Sequence, residues 1–348
     1  MNEPISRRTW LSILAASGVA LATQKTAEAF DNSLEPCNVW PAYASKVRFY
    51  TRGHYRYVTS NDIPDHKVGH FPDRQCPNAI SPQDFHFRMP LHPVRNSRFM
   101  KLINRIDFGV ALDGVVFDPG TAGFWHQQRD SIWNYALLTG FGNLGLDASH
   151  AHVQRDGTYH YHGVPTELIK SRHAWGKVML IGYAADGFPI YGPWGYAEAR
   201  NVHSNVRELR TSYRLKRGER PGSPDGPGGR YDGRYTGDFE YVHGFGDLDQ
   251  ANGRYGVTPE YPEGTYYYVA SDQFPFISRY FRGTPDRSFY KQPPRGGRRG
   301  GRGGGNGFGM GGGGGRGRGG FGPGGGGGFG PPGGGPPPFG PPGADGGY

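Results

Sequence analysis

The sequence predicts a mainly β fold with antiparallel sheets, arranged as a sandwich or a distorted barrel, with a few short helices and long loops. Two observations carry this prediction. Short alternating segments rich in tyrosine and phenylalanine recur along the chain, and turns rich in glycine and proline separate them. Helical periodicity is poor throughout, which disfavours a helical class of fold.

The strand segments begin with a hairpin over residues 47–58, where apolar residues alternate on both sides of a Thr-Arg-Gly-His break. Strict alternation predicts a strand over residues 84–91, and consecutive aromatic residues predict another over residues 264–271. The apolar segment 177–185 is followed by Asp186-Gly187, a strong hairpin signal. Two short segments give the best helix candidates: residues 131–138 and 166–175.

The C-terminal segment, residues 291–348, is predicted to be a disordered tail rich in Gly, Pro and Arg. Of the 61 glycines, 31 fall in the last 54 residues, which lack the apolar side chains needed to offset the entropy of ordering. These 54 residues contribute +5 and the first 29 residues +1 to the net charge of +9. The domain between them carries an ordinary +3, so the charge does not indicate a nucleic-acid partner.

Residues 1–29 are predicted to be a twin-arginine-type signal peptide. Arg7-Arg8 precedes the apolar stretch 11–22, and Ala27-Glu28-Ala29 offers small residues at the two positions that an export peptidase reads. The alternative is a short membrane-anchored N-terminus, but no run of 18 apolar residues offers a stable membrane span. We expect the twin-arginine export machinery as a partner, and the periplasm, cell surface or extracellular space of a bacterium as the location.

The two cysteines, Cys37 and Cys76, both lie early in the domain predicted over residues 30–290. In an oxidising compartment they predict one disulfide, which on the chain-entropy model would contribute about 3–4 kcal/mol. The alternative is a pair of free buried thiols.

The densest cluster of metal-ligating side chains consists of two His-x-His pairs, His150/His152 and His160/His162, separated by the hairpin signal Asp156-Gly157. Side chains two apart on a strand share a face, so a hairpin places the pairs side by side. We predict a transition-metal site, with Zn, Cu or Fe as the ion, because neutral imidazole suits these metals. The alternatives are a hydrogen-bonded polar cluster without an ion and a pocket that binds a ligand directly.

Two other sequence motifs match a known binding pattern only in part, and neither indicates a binding site. Residues 140–145 match G-x-G-x-x-G, but no amphipathic helix follows, and dinucleotide binding requires that helix. Residues 247–258 resemble a calcium loop loosely, but the spacing is off by one and Thr258 stands at the last position, so they do not form an EF-hand.

Around Tyr159-His160-Tyr161-His162 the sequence resembles the bacterial YHYH family, which takes its name from this tetrapeptide. Similar blocks occur through residues 47–282, among them 60–66, 146–154, 182–192 and 248–266. The resemblance implies an exported, β-rich domain and carries no settled activity. Two positions depart from the family's pattern: Asp62 stands where glycine is expected, and His150 where no fixed histidine is expected.

The resemblance and the strand geometry agree on His152, His160 and His162 as metal ligands. Three imidazoles with an open position are typical of a reactive metal rather than of a closed structural one. His66 follows a Pro-Asp turn in a block shared with the family, and it is a candidate fourth ligand or a partner of a ligand. His150 is a further candidate ligand, which only the strand pattern supports.

Asp186 is a candidate catalytic residue, as a hydrogen-bond acceptor for a metal ligand or as a base; its alternative role is the hairpin turn alone. Two functions remain open. The first is an exported metalloenzyme, hydrolytic or oxidative, whose metal activates water or a small substrate. The second is a metal- or carbohydrate-binding envelope module without turnover. A structural surface protein, with the tail as a spacer, is a third and simpler possibility.

Overall fold

The structure is a computed structural model that describes residues 34–121, 123–127, 131–139 and 145–291. The predicted signal peptide, the predicted tail from residue 292 onward and the first five residues of the G-x-G-x-x-G pattern lie outside these described residues. The fold is mainly β, as predicted, with 32% of the residues in strands and 6% in helices.

An eight-stranded sheet forms the centre of the fold. Neighbouring strands are antiparallel except for two parallel pairs, Pro189–Tyr191 (β10) with Tyr261–Val269 (β16) and Val116–Phe117 (β6) with Tyr159–Tyr161 (β8). In spatial order the strands are β15 (Gly253–Thr258), β16 (Tyr261–Val269), β10 (Pro189–Tyr191), β9 (Leu180–Ala184), β5 (Gly109–Ala111), β6 (Val116–Phe117), β8 (Tyr159–Tyr161) and β7 (Ala151–Val153).

A three-stranded antiparallel sheet joins this centre, with β2 (Tyr55–Ser60) between β1 (Val47–Arg52) and β3 (Phe85–Pro90). Its first hairpin follows the prediction for residues 47–58, with Gly53 in the left-handed region at the turn. The sheet packs through Val58 and Met89, which share one hydrophobic core with residues of the eight-stranded sheet such as Phe117.

Three two-stranded antiparallel sheets and short helical segments complete the described chain. The small sheets pair β4 (Met100–Lys101) with β17 (Tyr280–Phe281), β11 (Trp194–Tyr196) with β12 (Val206–Glu208), and β13 (Tyr213–Leu215) with β14 (Phe239–Tyr241). The helical segments are the α-helix α1 (Thr166–Ser171) and the 3-10 turns Trp125–Gln127, Thr236–Asp238 and Arg287–Phe289.

The predicted hairpins and strands are confirmed, and one of the two helix predictions is wrong. Residues 166–175 contain α1, whereas residues 131–138 are not helical. There, Asn134 and Tyr135 form bridges to Phe124 and Tyr235 on neighbouring segments. Pairing with these segments overrides the weak helical pattern.

The predicted disulfide between Cys37 and Cys76 is absent, and both residues are free thiols. The Cys37 sulfur lies 3.8 Å from Ser149 Oγ, while the Cys76 thiol donates to the Val153 carbonyl at 3.4 Å. Burial raises the pKa of both thiols. The prediction was based on the number of cysteines and on the expected compartment. Neither observation tells where the two side chains lie in the fold, and the structure packs them against different neighbours.

In the described part of the chain, no helix has both the length and the apolar character needed to cross a membrane.

Candidate metal centre

The hairpin of β7 and β8 places the three predicted metal ligands on one face. His152 lies directly opposite His160 in the antiparallel register, and His162 follows two residues after His160. Gly157 closes the turn with a φ of 89°, in the region that glycine adopts without strain. A Cβ at this glycine would lie 1.8 Å from Ser81 Oγ, so the turn also requires the absence of a side chain.

The imidazole rings converge through their Nε2 atoms. His162 Nε2 lies 2.9 Å from His160 Nε2 and 3.2 Å from His152 Nε2. One ring nitrogen from each of the three residues lies within 4.8 Å of the other two. Nitrogens bound tetrahedrally to one zinc ion would be separated by roughly 3.3–3.4 Å. The described side chains are therefore spaced closely enough to share one ion.

The environment keeps two of these imidazoles neutral, which is the form that binds metals. Only 2% of His160 and 5% of His162 is exposed, whereas His152 is partly exposed. Burial lowers the pKa of His160 and His162 well below the usual histidine value, and the neighbouring histidines lower it further. Access to the cluster is therefore from the side of His152.

The second ring nitrogens differ between His160 and His162. His160 Nδ1 lies 3.3 Å from the Thr158 carbonyl, which can only accept a hydrogen bond, so the proton on Nδ1 leaves the Nε2 lone pair free. His162 Nδ1 is buried and has no hydrogen-bond partner among the described residues. The hydrogen bond to Thr158 thus holds His160 in the tautomer protonated at Nδ1, which is the one that can bind a metal through Nε2.

His150 does not join this cluster. The residue has a φ of 55°, so the chain is not extended at that point and the strand begins only at Ala151. The His150 ring turns away and its Nδ1 lies 2.8 Å from the Val164 carbonyl. The strand pattern assumed an extended backbone from His150 to His152, and the left-handed turn removes that assumption.

His66 also lies apart from the three histidines. Its Nδ1 lies 2.7 Å from the Lys67 carbonyl, and its Nε2 lies 2.6 Å from the Tyr161 hydroxyl and 3.5 Å from Asp113 Oδ2. Tyr161 alternates with His160 and His162 and points to the other face of β8. His66 therefore supports the strand from behind instead of adding a fourth ligand.

Buried carboxylates hold this rear face of β8. The Tyr161 hydroxyl donates to Asp113 and the Tyr159 hydroxyl donates to Asp147, each at 2.7 Å, and both tyrosines are fully buried. Asp62 accepts from the Tyr159 backbone N–H at 2.9 Å and from that of Val116 at 3.3 Å. Its φ of 58° explains why this position suits glycine or aspartate.

Asp186 lies at the β9–β10 turn, and the structure does not place it beside the histidines. It accepts hydrogen bonds from the Tyr268 hydroxyl at 2.5 Å and from the backbone N–H groups of Gly283 at 2.8 Å and Phe188 at 3.3 Å. Two strands, β5 and β6, separate β9 from β8, which corresponds to about 14 Å at the usual strand spacing.

Replacing Asp186 by asparagine is expected to leave bound metal unchanged and to flatten the pH dependence of stability. Burial raises the pKa of this carboxyl to about 6, so the folded state holds its proton more tightly than the unfolded chain. Asp186 therefore stabilises the fold most below pH 4, and this contribution, about 3 kcal/mol in size, is lost as pH rises to 6. Urea unfolding between pH 3.5 and 7 checks this, and metal loss in the variant would instead support a role at the metal.

Three charged residues near the cluster were missed by sequence reasoning. Asp118 follows β6 beside β8, accepts from the Lys291 ammonium group, and accepts from Gln154 Nε2 at 3.3 Å. Lys291 and Arg279 are close enough to contribute to the lowered pKa of His162, after burial and the neighbouring histidines. Arg279 Nε is buried without a partner among the described residues. The parallel β6–β8 pairing brings Asp118 here, and no spacing in the sequence signals it.

One of the comparisons with known proteins gives a match. The family model described as "YHYH protein" matches residues 86–283, which include all three converging histidines. No curated protein and no solved structure gives a significant match to the chain.

Proposed function

The chain belongs to the YHYH protein family, and from that premise we propose that it is an exported protein that binds a transition metal, Zn, Cu or Fe, through His152, His160 and His162. The observation that carries the proposal is the convergence of three Nε2 atoms, with separations of 2.9 and 3.2 Å from His162. Without an ion, one neutral imidazole can donate its Nε2–H to the lone pair of another, whereas an ion would accept the lone pairs of all three Nε2 atoms.

Elemental analysis by mass spectrometry tests this proposal on protein purified from its native host without chelators. We expect about one transition-metal ion per chain. Protein that holds no such ion, and takes up none of the three metals when each is added after purification, would contradict it.

We further propose that the metal is reactive and activates water or a small substrate. Three histidines leave a fourth position open, and the partial exposure of His152 gives access to it. Arg279 places positive charge beside the cluster, whereas the nearby Lys291 ammonium group is paired with Asp107 and Asp118. Positive neighbours stabilise an anion such as hydroxide or a carboxylate at the open position.

The second candidate is a metal-binding envelope module without turnover. The near-complete burial of His160 and His162 favours it, because little room is left around the ion. Metal-loaded protein assayed against ester, phosphoester and phenol substrates separates the two. Turnover that disappears when both of these histidines are replaced supports the enzyme.

Export is proposed from the N-terminal sequence, with cleavage after Ala29 by the peptidase that follows the twin-arginine pathway. Amino-terminal sequencing of protein recovered from the periplasm or medium is expected to begin at Phe30. Replacing Arg7-Arg8 by two lysines is expected to retain the protein in the cytoplasm. Mature protein that still carries residues 6–10 would contradict the predicted cleavage.

A further inference from the structure

Two adjoining clefts lie along β15, the edge strand of the eight-stranded sheet that is farthest from β7. Their cavity volumes are about 540 and 370 Å³, within the range of ligand pockets, and both are lined by Arg95 and Tyr255. Because β7 carries His152 at the opposite edge, these clefts are separate from the candidate metal centre.

The clefts hold guanidinium groups that no carboxylate neutralises. The exposed Arg95 and Arg200 lie over the Tyr255 ring, with their guanidinium carbons 5.6 and 5.9 Å from its centroid, and neither has an ion-pair partner in the described part of the chain. Arg254 donates to the Tyr267 hydroxyl at 2.6 Å and to the Tyr196 carbonyl at 2.7 Å, both neutral groups.

Arg282, in the lining of the smaller cleft, makes similar contacts. Its guanidinium donates to the Asn96 carbonyl and lies 4.9 Å from the centre of the Phe99 ring. Three of these arginines thus form no ion pair in the described part of the chain, whereas Arg282 is close enough to Asp249 for their charges to attract. Free guanidinium forks match carboxylates and phosphates, which they bind with two parallel hydrogen bonds.

The same lining also offers acceptors and an exposed ring. Glu263 lies exposed in the larger cleft, and Asp249 in the smaller one accepts from the Tyr266 hydroxyl at 3.0 Å. Asp247 is already neutralised by Arg207, through two bonds of 2.7 and 2.8 Å. Tyr255 is 43% exposed, so part of its ring remains open to a ligand beside the two guanidinium groups.

We propose that the two clefts form one binding site for an acidic saccharide, a glycan whose sugars carry carboxylates. Its carboxylates would pair with Arg95 and Arg200, its hydroxyls would donate to Glu263, and its ring would pack on Tyr255. A polyphosphate has no hydroxyl group that could donate to Glu263 and no sugar ring that could pack on Tyr255. An acidic sugar carries both carboxylates for the arginines and hydroxyls for Glu263.

Isothermal titration of the full chain with oligosaccharides of galacturonate, glucuronate and mannuronate tests the proposal. At least one of them is expected to bind, with an affinity that falls as salt rises, while the corresponding neutral oligosaccharides bind at least about tenfold more weakly. The Arg95→Ala/Arg200→Ala double variant and Tyr255→Ala should each weaken binding about tenfold or more.

A matched control is available in Arg48→Ala, because Arg48 lies over the Tyr50 ring at 5.3 Å in β1, away from the clefts. It should bind like the native protein. Equal binding of acidic and neutral sugars, no binding of any of the three acids at millimolar concentration, or unchanged binding by the cleft variants would overturn the proposal. Capture of phosphatidylglycerol vesicles that needs the same residues, without saccharide binding, would also overturn it.

Discussion

Protein in which His160 and His162 are both replaced by alanine is expected to lose its bound transition metal. Each residue supplies one of three converging Nε2 atoms, so the double variant keeps only His152. Among the described residues, no other metal-ligating group joins His152 to complete a site. Each single variant should lose most of the metal as well, because His162 Nε2 is close to both other nitrogens.

The measurement is metal stoichiometry by mass spectrometry after stripping with chelator and reloading. His150→Ala is the matched control, since its ring contacts the Val164 carbonyl and should not be required. Binding to the folded state alone also stabilises the fold, by about 4 kcal/mol at a thousandfold excess of metal over Kd. The increase in melting temperature that added metal causes should vanish in the double variant and persist in His150→Ala. Full metal retention in the double variant would end the metal hypothesis.

The sequence predicted the converging part of the site because it depends on local rules. Alternation on a strand fixes that His160 and His162 share a face, and the Asp156-Gly157 turn brings His152 opposite them. The class of fold followed from the same kind of pattern. The alternation rule applies only to an extended backbone. It therefore fails at His150, whose φ lies in the left-handed region.

What the sequence could not predict depends on pairings between distant segments. His66 and Tyr161 are 95 residues apart, and their contact follows from packing of the His66 loop behind β8. Asp118 reaches the same strand through a parallel pairing, which no turn signal announces. Asp186 was correctly placed in a hairpin turn, but its buried partners, Tyr268 and Gly283, come from later segments.

Replacing Asp113 by alanine is expected to reduce the free energy of unfolding by about 2–6 kcal/mol, because two buried donors lose their acceptor at about 1–3 kcal/mol each. Asp113 is fully buried and accepts from the Tyr161 hydroxyl at 2.7 Å and the Val115 backbone N–H at 3.2 Å. His66 Nε2 lies 3.5 Å from the same carboxylate. Without Asp113, the Tyr161 hydroxyl and the Val115 backbone N–H lose an acceptor that water cannot replace.

Urea unfolding of the metal-free protein measures this cost. Tyr161→Phe removes only the hydroxyl and is expected to cost about 1–3 kcal/mol. Glu240→Ala is the surface control: its pair with Arg214 is exposed, with 39% and 49% of the two side chains accessible, so its loss should cost less than about 1 kcal/mol. Because Tyr161 lies between His160 and His162, a folded Asp113→Ala protein should also bind metal more weakly. An Asp113→Ala protein as stable as the Glu240→Ala control would show that the rear face of β8 does not depend on this carboxylate.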